Sequence, residues 1–268
     1  MEWLVIMVTL VVLWVASLFK ILLESLSASQ AAVLNDGGVF CKRNVLLVIA
    51  HPDDESMFFT PTLNYLSSRG CNLHILCMST GNADGMGNVR LDELYLASIV
   101  LKVPQKQVKV LDHPDLQDGF GKSWNSNLLS KIIKEEIVNC AIDLVITFDN
   151  YGVSGHCNHQ DVHQGVRKLL QGSSHKEVDA WELVSSSLVS LPLVSTNILR
   201  KYSGPVDIWL SLVSAKFHLS GVVRCLLNEH PRRTLAAMAQ HKSQWVWFRK
   251  LFVSFSSYTY VNCLKKIN

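Results

Sequence analysis

The residues best suited to chemistry follow a short apolar segment near residue 50. Val45–Ile49 leads, through Ala50, into His51-Pro52-Asp53-Asp54-Glu55. Imidazole and carboxylate groups together are typical ligands of divalent transition metals. Because a proline favours an extended conformation in the residue before it, His51 continues the direction of the segment and is stiffly placed. The alternative is structural, since acidic residues ahead of a helix also serve as caps and complement its dipole.

A second group of histidines follows another apolar segment, Leu144–Phe148. Its loop contains glycines and two imidazoles in the sequence Gly152-Val153-Ser154-Gly155-His156-Cys157-Asn158-His159. One histidine in such a loop would be an ordinary surface residue, but a second loop carrying imidazoles and carboxylates favours a metal site.

Two further patterns are rejected as sites. His159 and His163 have the spacing of a helical zinc-protease motif, but Gln160 stands where the glutamate base belongs. Gly85-Met86-Gly87 begins like a dinucleotide fingerprint, but Arg90 stands where its last glycine belongs.

Strand and helix patterns alternate from about residue 44 onward and must position these loops. Apolar runs predict strands at Val45–Ile49, Leu73–Met78, Val108–Leu111 and Leu144–Phe148. Helices are predicted at about Ser56–Arg69, Val89–Val100, Asn127–Val138 and Gln160–Leu170. Apolar strands without polar alternation are typical of a parallel sheet covered on both faces. We therefore predict an α/β fold with a Rossmann-like, doubly wound, mostly parallel sheet, in which both histidine loops lie at carboxyl ends of strands, where ligands bind.

The N-terminal segment is strongly apolar. Trp3–Phe19 contains no charged residue, which predicts one transmembrane helix. A cleaved signal peptide is the alternative, disfavoured because the run is long and no basic residue precedes it. Basic residues after the run place the rest of the chain in the cytosol. The predicted organisation is an anchor at 1–23, a linker at 24–43 and one domain at 44–268.

Composition and the C-terminal region narrow the function classes. The formal net charge is +3, from 25 basic and 22 acidic residues, which argues against a nucleic-acid partner. Seven scattered cysteines favour a reducing compartment. Asp207–Leu227 is predicted as a packed helix, while the aromatic and basic stretch Trp245–Tyr260 fits either a membrane-interface segment or the edge of the core. The final Lys265-Lys266-Ile267-Asn268 fits a dilysine signal for retrieval to the endoplasmic reticulum or a chance basic tail.

From Asn44 to about Leu251 the chain resembles the LmbE-like zinc deacetylases. The resemblance rests on Ala50-His51-Pro52-Asp53-Asp54-Glu55, Thr80-Gly81-Asn82 with Gly87, Arg90, Glu93 and Leu94, Val153-Ser154-Gly155-His156 with His159, and Ala237-Met238 with His241-Lys242-Ser243-Gln244. It implies that His51, Asp54 and His159 hold the metal, that Asp53 is the general base and that His156 polarises the substrate carbonyl. The implied ion is zinc, although two histidines and one carboxylate also suit Fe(II).

One position departs from the family pattern. Many bacterial relatives carry an aspartate between the two histidines of the second motif, whereas this chain has Cys157-Asn158. A neutral amide does not raise the pKa of His156 as a carboxylate would.

Within the family the chain is most similar to membrane-bound eukaryotic members. The resemblance implies hydrolysis of the N-acetyl group of a phosphatidylinositol-linked N-acetylglucosamine on the cytosolic face of the endoplasmic reticulum membrane, in the synthesis of glycosylphosphatidylinositol anchors. Arg90 is expected to pair with the phosphodiester, or else with Glu93 on the helix surface. Asp115 or Asp118 is expected to accept hydroxyl groups. His241 belongs to a family motif but receives no role.

Two other functions stay open at this point. One is deacetylation of a different N-acetylated amino sugar by a membrane-tethered enzyme. The other is a non-catalytic protein that binds glycolipid, although no ligand or base is missing from the motifs.

Overall fold

The computed structural model describes residues 2–26, 42–119, 121–172, 178–185, 201–209, 211 and 223–267. Its helices relevant here are α1 (Glu2–Leu26), α2 (Asp54–Met57), α3 (Thr60–Ser68), α4 (Gly87–Val100), α5 (Ser126–Cys140), α6 (Gly152–Gly155), α7 (Cys157–Gln171), α8 (Pro231–Met238) and α9 (Trp247–Phe255). Its strands are β1 (Asn44–Ile49), β2 (Asn72–Cys77), β3 (Val108–Val110), β4 (Leu144–Phe148), β5 (Asp179–Leu183), β6 (Val223–Leu227) and β7 (Val261–Lys266).

The described strands form one sheet in the order β3-β2-β1-β4-β5-β7-β6. Strands β3, β2, β1, β4 and β5 pair in parallel, whereas β7 runs antiparallel to both β5 and β6. The predicted α/β class is therefore confirmed. Because the carboxyl ends of the parallel strands meet at one edge, the loops after β1, β2, β3 and β4 come together there.

The sheet is buried on both faces. Leu47 and Ile49 of β1 pack in one cluster with Leu63 of α3 and residues of α8, while Leu46 and Val48 pack in another cluster with residues of α5 and α7. Two-sided burial explains why β1 has no polar alternation.

The helix predicted at Ser56–Arg69 is wrong as a single element. The structure has two helices there, α2 and α3, because Pro61 occupies the first turn of α3 and lacks the N–H group that a continuous helix would need. Phe58 and Phe59 between the two helices are buried in the core.

The helix predicted at Asp207–Leu227 is also wrong in part. Val223–Leu227 is a strand, β6, whose residues are largely buried. A short apolar run fits a buried strand and a buried helix equally well by periodicity, so the sequence did not separate them. Residues 210 and 212–222 of this prediction lie outside the described residues, as do residues 27–41 of the predicted linker.

Among the described residues, α1 is the helix long and apolar enough to cross a membrane, over Trp3–Ile21, judged by length and composition. Most of its side chains are exposed, but Ser17 and Ile21 near its C-terminal end are buried. Ser17 accepts a hydrogen bond from the Trp209 indole at 2.9 Å. Membrane anchoring, the alternative of a signal peptide and the domain limits stay predictions.

Candidate metal centre and active site

The first histidine motif forms a tight turn between β1 and α2. The Asp54 Oδ2 atom accepts hydrogen bonds from the backbone N–H groups of Ala50 at 3.1 Å and His51 at 2.8 Å. These bonds fix the Asp54 carboxylate against the end of β1, so that its Oδ1 atom lies 3.1 Å from His159 Nε2. Burial alone would raise the pKa of Asp54, but the neighbouring rings of His159 and His51 outweigh it and hold the pKa well below its usual range. Asp54 is therefore a carboxylate at neutral pH.

Asp53 occupies a strained position in the same turn. Its φ is 117°, in the left-handed region that non-glycine residues rarely adopt, at a cost of roughly 1–3 kcal/mol. The Asp53 N–H donates to Glu55 Oε2 at 3.1 Å, and the Asp53 carboxylate is in contact with the Arg249 guanidinium. Burial raises the pKa of Asp53, while Arg249 and, more weakly, Arg90 oppose that rise. A buried carboxyl group with a raised pKa is suited to proton transfer near neutral pH.

The second motif supplies two imidazoles from β4–α7. His159 lies on α7, where its Nδ1 atom is 3.0 Å from the Gly152 carbonyl oxygen. Since a carbonyl accepts only from a protonated nitrogen, Nδ1 carries the hydrogen and Nε2 has its lone pair available for a metal. The His159 ring also stacks on Phe148, with centroids 4.1 Å apart. This ring is therefore held in one orientation.

His156 forms the N-cap of α7. Its Nδ1 atom accepts a hydrogen bond from the Asn158 backbone N–H at 3.3 Å, which leaves Nε2 as the position of a hydrogen in the neutral ring. Burial and the neighbouring rings of His51 and His159 lower the pKa of His156 to about 4. A neutral His156 is thus a hydrogen-bond donor through Nε2.

The three imidazoles converge. One ring nitrogen from each of His51, His156 and His159 lies within 4.8 Å of the others. His51 Nε2 also lies 3.0 Å from Asp118 Oδ1 and 3.2 Å from the Asn158 side-chain oxygen. Asp54 adds a carboxylate 3.1 Å from His159 and 3.8 Å from His51, so the cluster offers the nitrogen and carboxylate donors that divalent transition metals bind.

The residues predicted to bind substrate have different positions. Asp118 is beside the imidazoles, as given above. Arg90 donates to the backbone oxygens of Gly81 at 2.7 Å and Pro52 at 2.8 Å, and thus joins the loops after β1 and β2. Arg90 does not pair with Glu93, the alternative expected from their spacing on the helix. Glu93 instead accepts two hydrogen bonds from Ser243. Asp115 has a 75% exposed side chain, 3.9 Å from the His113 ring, so it is not among the clustered residues.

Several site residues were not predicted from the sequence as members of the site. His241 and Glu55 form a fully buried hydrogen bond of 2.7 Å, and Gln244 donates to the Pro52 carbonyl oxygen at 3.0 Å. His241 and Gln244 belong to the family motif around Ala237–Gln244, but that motif gave them no role. For Arg249, on α9, the sequence offered one indication of a function, the mixture of aromatic and basic residues around it.

Comparisons with known proteins identify the family of this chain. The family model described as GlcNAc-PI de-N-acetylase matches residues 46–170. A probable N-acetylglucosaminyl-phosphatidylinositol de-N-acetylase from Dictyostelium discoideum is 34% identical over 248 residues, covering 87% of this chain and 96% of the relative. The N-acetylglucosaminyl-phosphatidylinositol de-N-acetylase of Bos taurus is 34% identical over 242 residues, covering 90% and 88% of the two chains.

A solved structure supports the fold alone. The zinc-inhibited form of a teicoplanin deacetylase aligns with a TM-score of 0.53 at 14% identity, covering 83% of this chain and 97% of that one. The resemblance to LmbE-like deacetylases noted from the motifs is confirmed. The chain belongs to the GlcNAc-PI de-N-acetylase family, whose members are N-deacetylases.

Proposed function

We propose that this chain is a metal-dependent deacetylase of N-acetylglucosaminyl-phosphatidylinositol, which releases acetate and leaves glucosaminyl-phosphatidylinositol for anchor synthesis. The observation that carries the proposal is the convergence of His51, His156 and His159 with Asp54 beside the buried, strained Asp53. The substrate is that of the relatives, which are N-acetylglucosaminyl-phosphatidylinositol de-N-acetylases by name.

The donor set supports a metal at this point, with His51, Asp54 and His159 as the residues that hold it. The fixed tautomer of His159 and the ionised Asp54 both favour coordination. A divalent ion there would polarise the amide carbonyl and lower the pKa of a water molecule. We propose zinc, and an iron-loaded protein is the alternative that metal analysis tests.

The chain's own residues account for the proton movements. Asp53, as general base, takes a proton from the attacking water and gives it to the leaving amine; the amide and one water become an amine and acetic acid, whose proton passes to the amine to leave ammonium and acetate at neutral pH. His156 donates from Nε2 to the carbonyl oxygen as negative charge develops there. A neutral donor serves this step without a supporting carboxylate, which accounts for Asn158 in place of the aspartate of bacterial relatives.

We further propose that α1 anchors the chain in the endoplasmic reticulum membrane with the domain in the cytosol. Phosphatidylinositol-linked substrates stay in the bilayer because each buried methylene contributes about 0.8 kcal/mol. Lys265 and Lys266 are both exposed at the end of β7, although the Lys266 ammonium group is paired with Asp179 at 2.6 Å, and their place near the C-terminus is the support for a dilysine signal. Fluorescence protease protection with tags at either end of the chain tests this orientation.

The activity test uses the full-length chain in detergent and measures acetate release from N-acetylglucosaminyl-phosphatidylinositol. His51→Ala should lose bound metal and activity, whereas Asp53→Asn should keep the metal and lose turnover by at least about a hundredfold. Asn tolerates the left-handed conformation at position 53, so this variant keeps the turn. Asp92→Asn, the same change at an exposed position of α4, is the matched control. A fully active Asp53→Asn protein would refute the mechanism, and release of acetate only from another amino sugar would replace the substrate.

A further inference from the structure

A pocket of about 600 Å³ lies beside the candidate active site and has no role in the deacetylation chemistry. Its lining includes Met57, Tyr202, Phe248, Arg249, Leu251 and Phe255. All except Arg249 are apolar or aromatic, so the pocket suits a hydrocarbon ligand with one anionic group.

The outer wall of the pocket is a helix with an unusually apolar exposed surface. Along α9, Trp247 is 72% exposed, Phe248 54% and Leu251 51%, while Phe252 and Val253 face the core. Contiguous apolar surface of this kind on a folded domain marks an interaction site.

The position of α1 indicates what covers this surface. A Cβ built on Gly204 would lie 3.1 Å from the Trp14 indole nitrogen of α1 and 3.5 Å from the Phe255 carbonyl oxygen of α9. The membrane-spanning candidate and the apolar helix therefore meet at one point. A bilayer that holds α1 would therefore lie against the C-terminal end of α9.

Cationic side chains surround the same region. The Lys201 ammonium group lies 5.4 Å from the Phe252 ring, and that of Lys250 lies 5.5 Å from the Trp245 ring. Basic groups combined with aromatic rings are typical of segments at the headgroup level of anionic membranes.

The inner end of the pocket reaches the active-site turn through Arg249. The described hydrogen bonds of Arg249 all use Nη1, which contacts the Asp53 carboxylate and lies 2.6 Å from the Gln244 side-chain oxygen. Nη2 and Nε of this side chain have no described partner. In Arg90 the two terminal nitrogens donate to backbone carbonyl groups and lie 3.4 Å from Asp118 and 3.7 Å from Asp53, and the nitrogen without a described hydrogen-bond partner is the buried Nε. Arg249 is thus the arginine positioned to pair with a phosphate on the pocket side of the reaction centre.

We propose that this pocket receives the phosphoglyceride part of the substrate, with an acyl chain against α9 and the phosphodiester paired with Arg249. The inference rests on the proposed function and assigns its lipid specificity to Phe248, Leu251 and Arg249. It also moves the phosphate contact expected of Arg90 to a residue on another element.

The test compares two substrates that share the N-acetylglucosaminyl-inositol part and differ in whether the phosphoglyceride, with its phosphodiester, is present. One is N-acetylglucosaminyl-inositol without phosphate, and the other is N-acetylglucosaminyl-dihexanoylphosphatidylinositol used below its micelle concentration, so that partition into a bilayer plays no part. For the double variant Phe248→Ser/Leu251→Ser, KM for the lipid substrate should rise about tenfold or more because two apolar contacts are lost. Its kcat/KM for N-acetylglucosaminyl-inositol, which has no lipid part, should stay unchanged.

The matched control is Leu96→Ser/Ile99→Ser, which removes two comparably exposed apolar side chains from α4. Equal KM values for the two double variants, or an equal loss on both substrates, would overturn the pocket assignment. Wild-type activity on neither substrate would instead overturn the proposed function, and the present inference with it.

Arg249→Gln tests the phosphate contact separately. Because Arg249 also contacts Asp53, kcat/KM should fall for both substrates, but we expect a further loss of about tenfold for the substrate that contains the phosphodiester. An equal fall for both would restrict Arg249 to positioning Asp53 and overturn the phosphate contact.

Discussion

The fully buried pair of His241 and Glu55 gives the sharpest prediction about how the active-site turn is held. His241 Nε2 lies 2.7 Å from Glu55 Oε1, and the other carboxylate oxygen of Glu55 accepts the Asp53 N–H at 3.1 Å. The strained conformation of Asp53 persists only because neighbouring contacts determine it. His241→Ala therefore removes a residue that supports the proposed base Asp53 through Glu55, and it leaves the proposed metal ligands unchanged.

The loss of stability expected for His241→Ala follows from the burial of the His241–Glu55 pair and from the carboxylate that accepts the hydrogen bond. A hydrogen bond to a charged group contributes about 1.5–3 kcal/mol, and replacing a buried imidazole with a methyl group adds a cavity term of about 1 kcal/mol. We expect a loss of about 2–4 kcal/mol in the free energy of unfolding, which lowers Tm by about 5–15 °C for a domain of this size. Turnover should also fall about tenfold, equivalent to about 1.4 kcal/mol in the barrier, because Asp53 loses its fixed orientation.

The assay combines thermal unfolding of the full-length chain in detergent with kcat and KM for acetate release. His241→Gln keeps a donor within reach of Glu55 and should recover part of both losses, while His230→Ala, at an exposed position before α8, controls for the loss of an imidazole. The bound metal content should equal that of wild type in all three variants. A His241→Ala protein with wild-type Tm and wild-type kcat would refute this account of the turn.

Three further outcomes are expected. Removing metal with a chelator should abolish acetate release, and the ion that restores it at the lowest concentration identifies the metal; activity that survives complete removal would contradict the metal site. A Cβ at Gly152, where φ is 62°, would lie 2.8 Å from His159 Cβ, so Gly152→Ala should weaken metal affinity about tenfold, whereas Gly155→Ala, with φ of 77° and no atom within 4 Å, carries the same backbone strain without that contact. Burial raises the pKa of Glu182 from 4.5 to about 7, so the unfolded chain releases this proton first and stability falls as pH rises between those values. Glu182→Gln should therefore raise Tm more at about pH 8 than at about pH 5, and an equal shift at both would contradict the raised pKa.

The sequence predicted four of the five parallel strands, β1 to β4, because they are short apolar runs between turn residues, and missed β5, where Asp179 and Glu182 interrupt the apolar pattern. It also predicted the convergence of the two histidine loops, since parallel strands bring their carboxyl ends to one edge. The antiparallel strands β6 and β7 were missed because their pairing depends on residues far apart in the chain, such as Cys225 opposite Cys263. Local periodicity carries no information about such partners.

The role of individual side chains was less predictable than their presence. Contact of Arg90 and Asp118 with the substrate stays a prediction, but the sequence did not show that Arg90 joins two loops or that Asp118 lies beside His51. A charged side chain in a loop motif can bind a ligand or can hydrogen-bond to the backbone of the loop. The fold is needed to tell these apart, because it shows which backbone carbonyl groups would otherwise be unpaired.

The site is built from two parts of the chain with separable functions. The proposed metal ligands and the donor His156 all fall within residues 46–170, the range that the family model matches. Asp53 is held in part by Glu55, inside that range, and in part by groups beyond it: Arg249 contacts its carboxylate, and His241 supports it through Glu55. The proposed metal ligands thus come from the first segment alone, whereas orientation of the base also depends on the second. Changes at His241 or Arg249 should reduce turnover while the metal stays fully bound. Changes at His51 should remove bound metal and turnover together. This difference would show that the turn positions Asp53 as a base in addition to surrounding a metal.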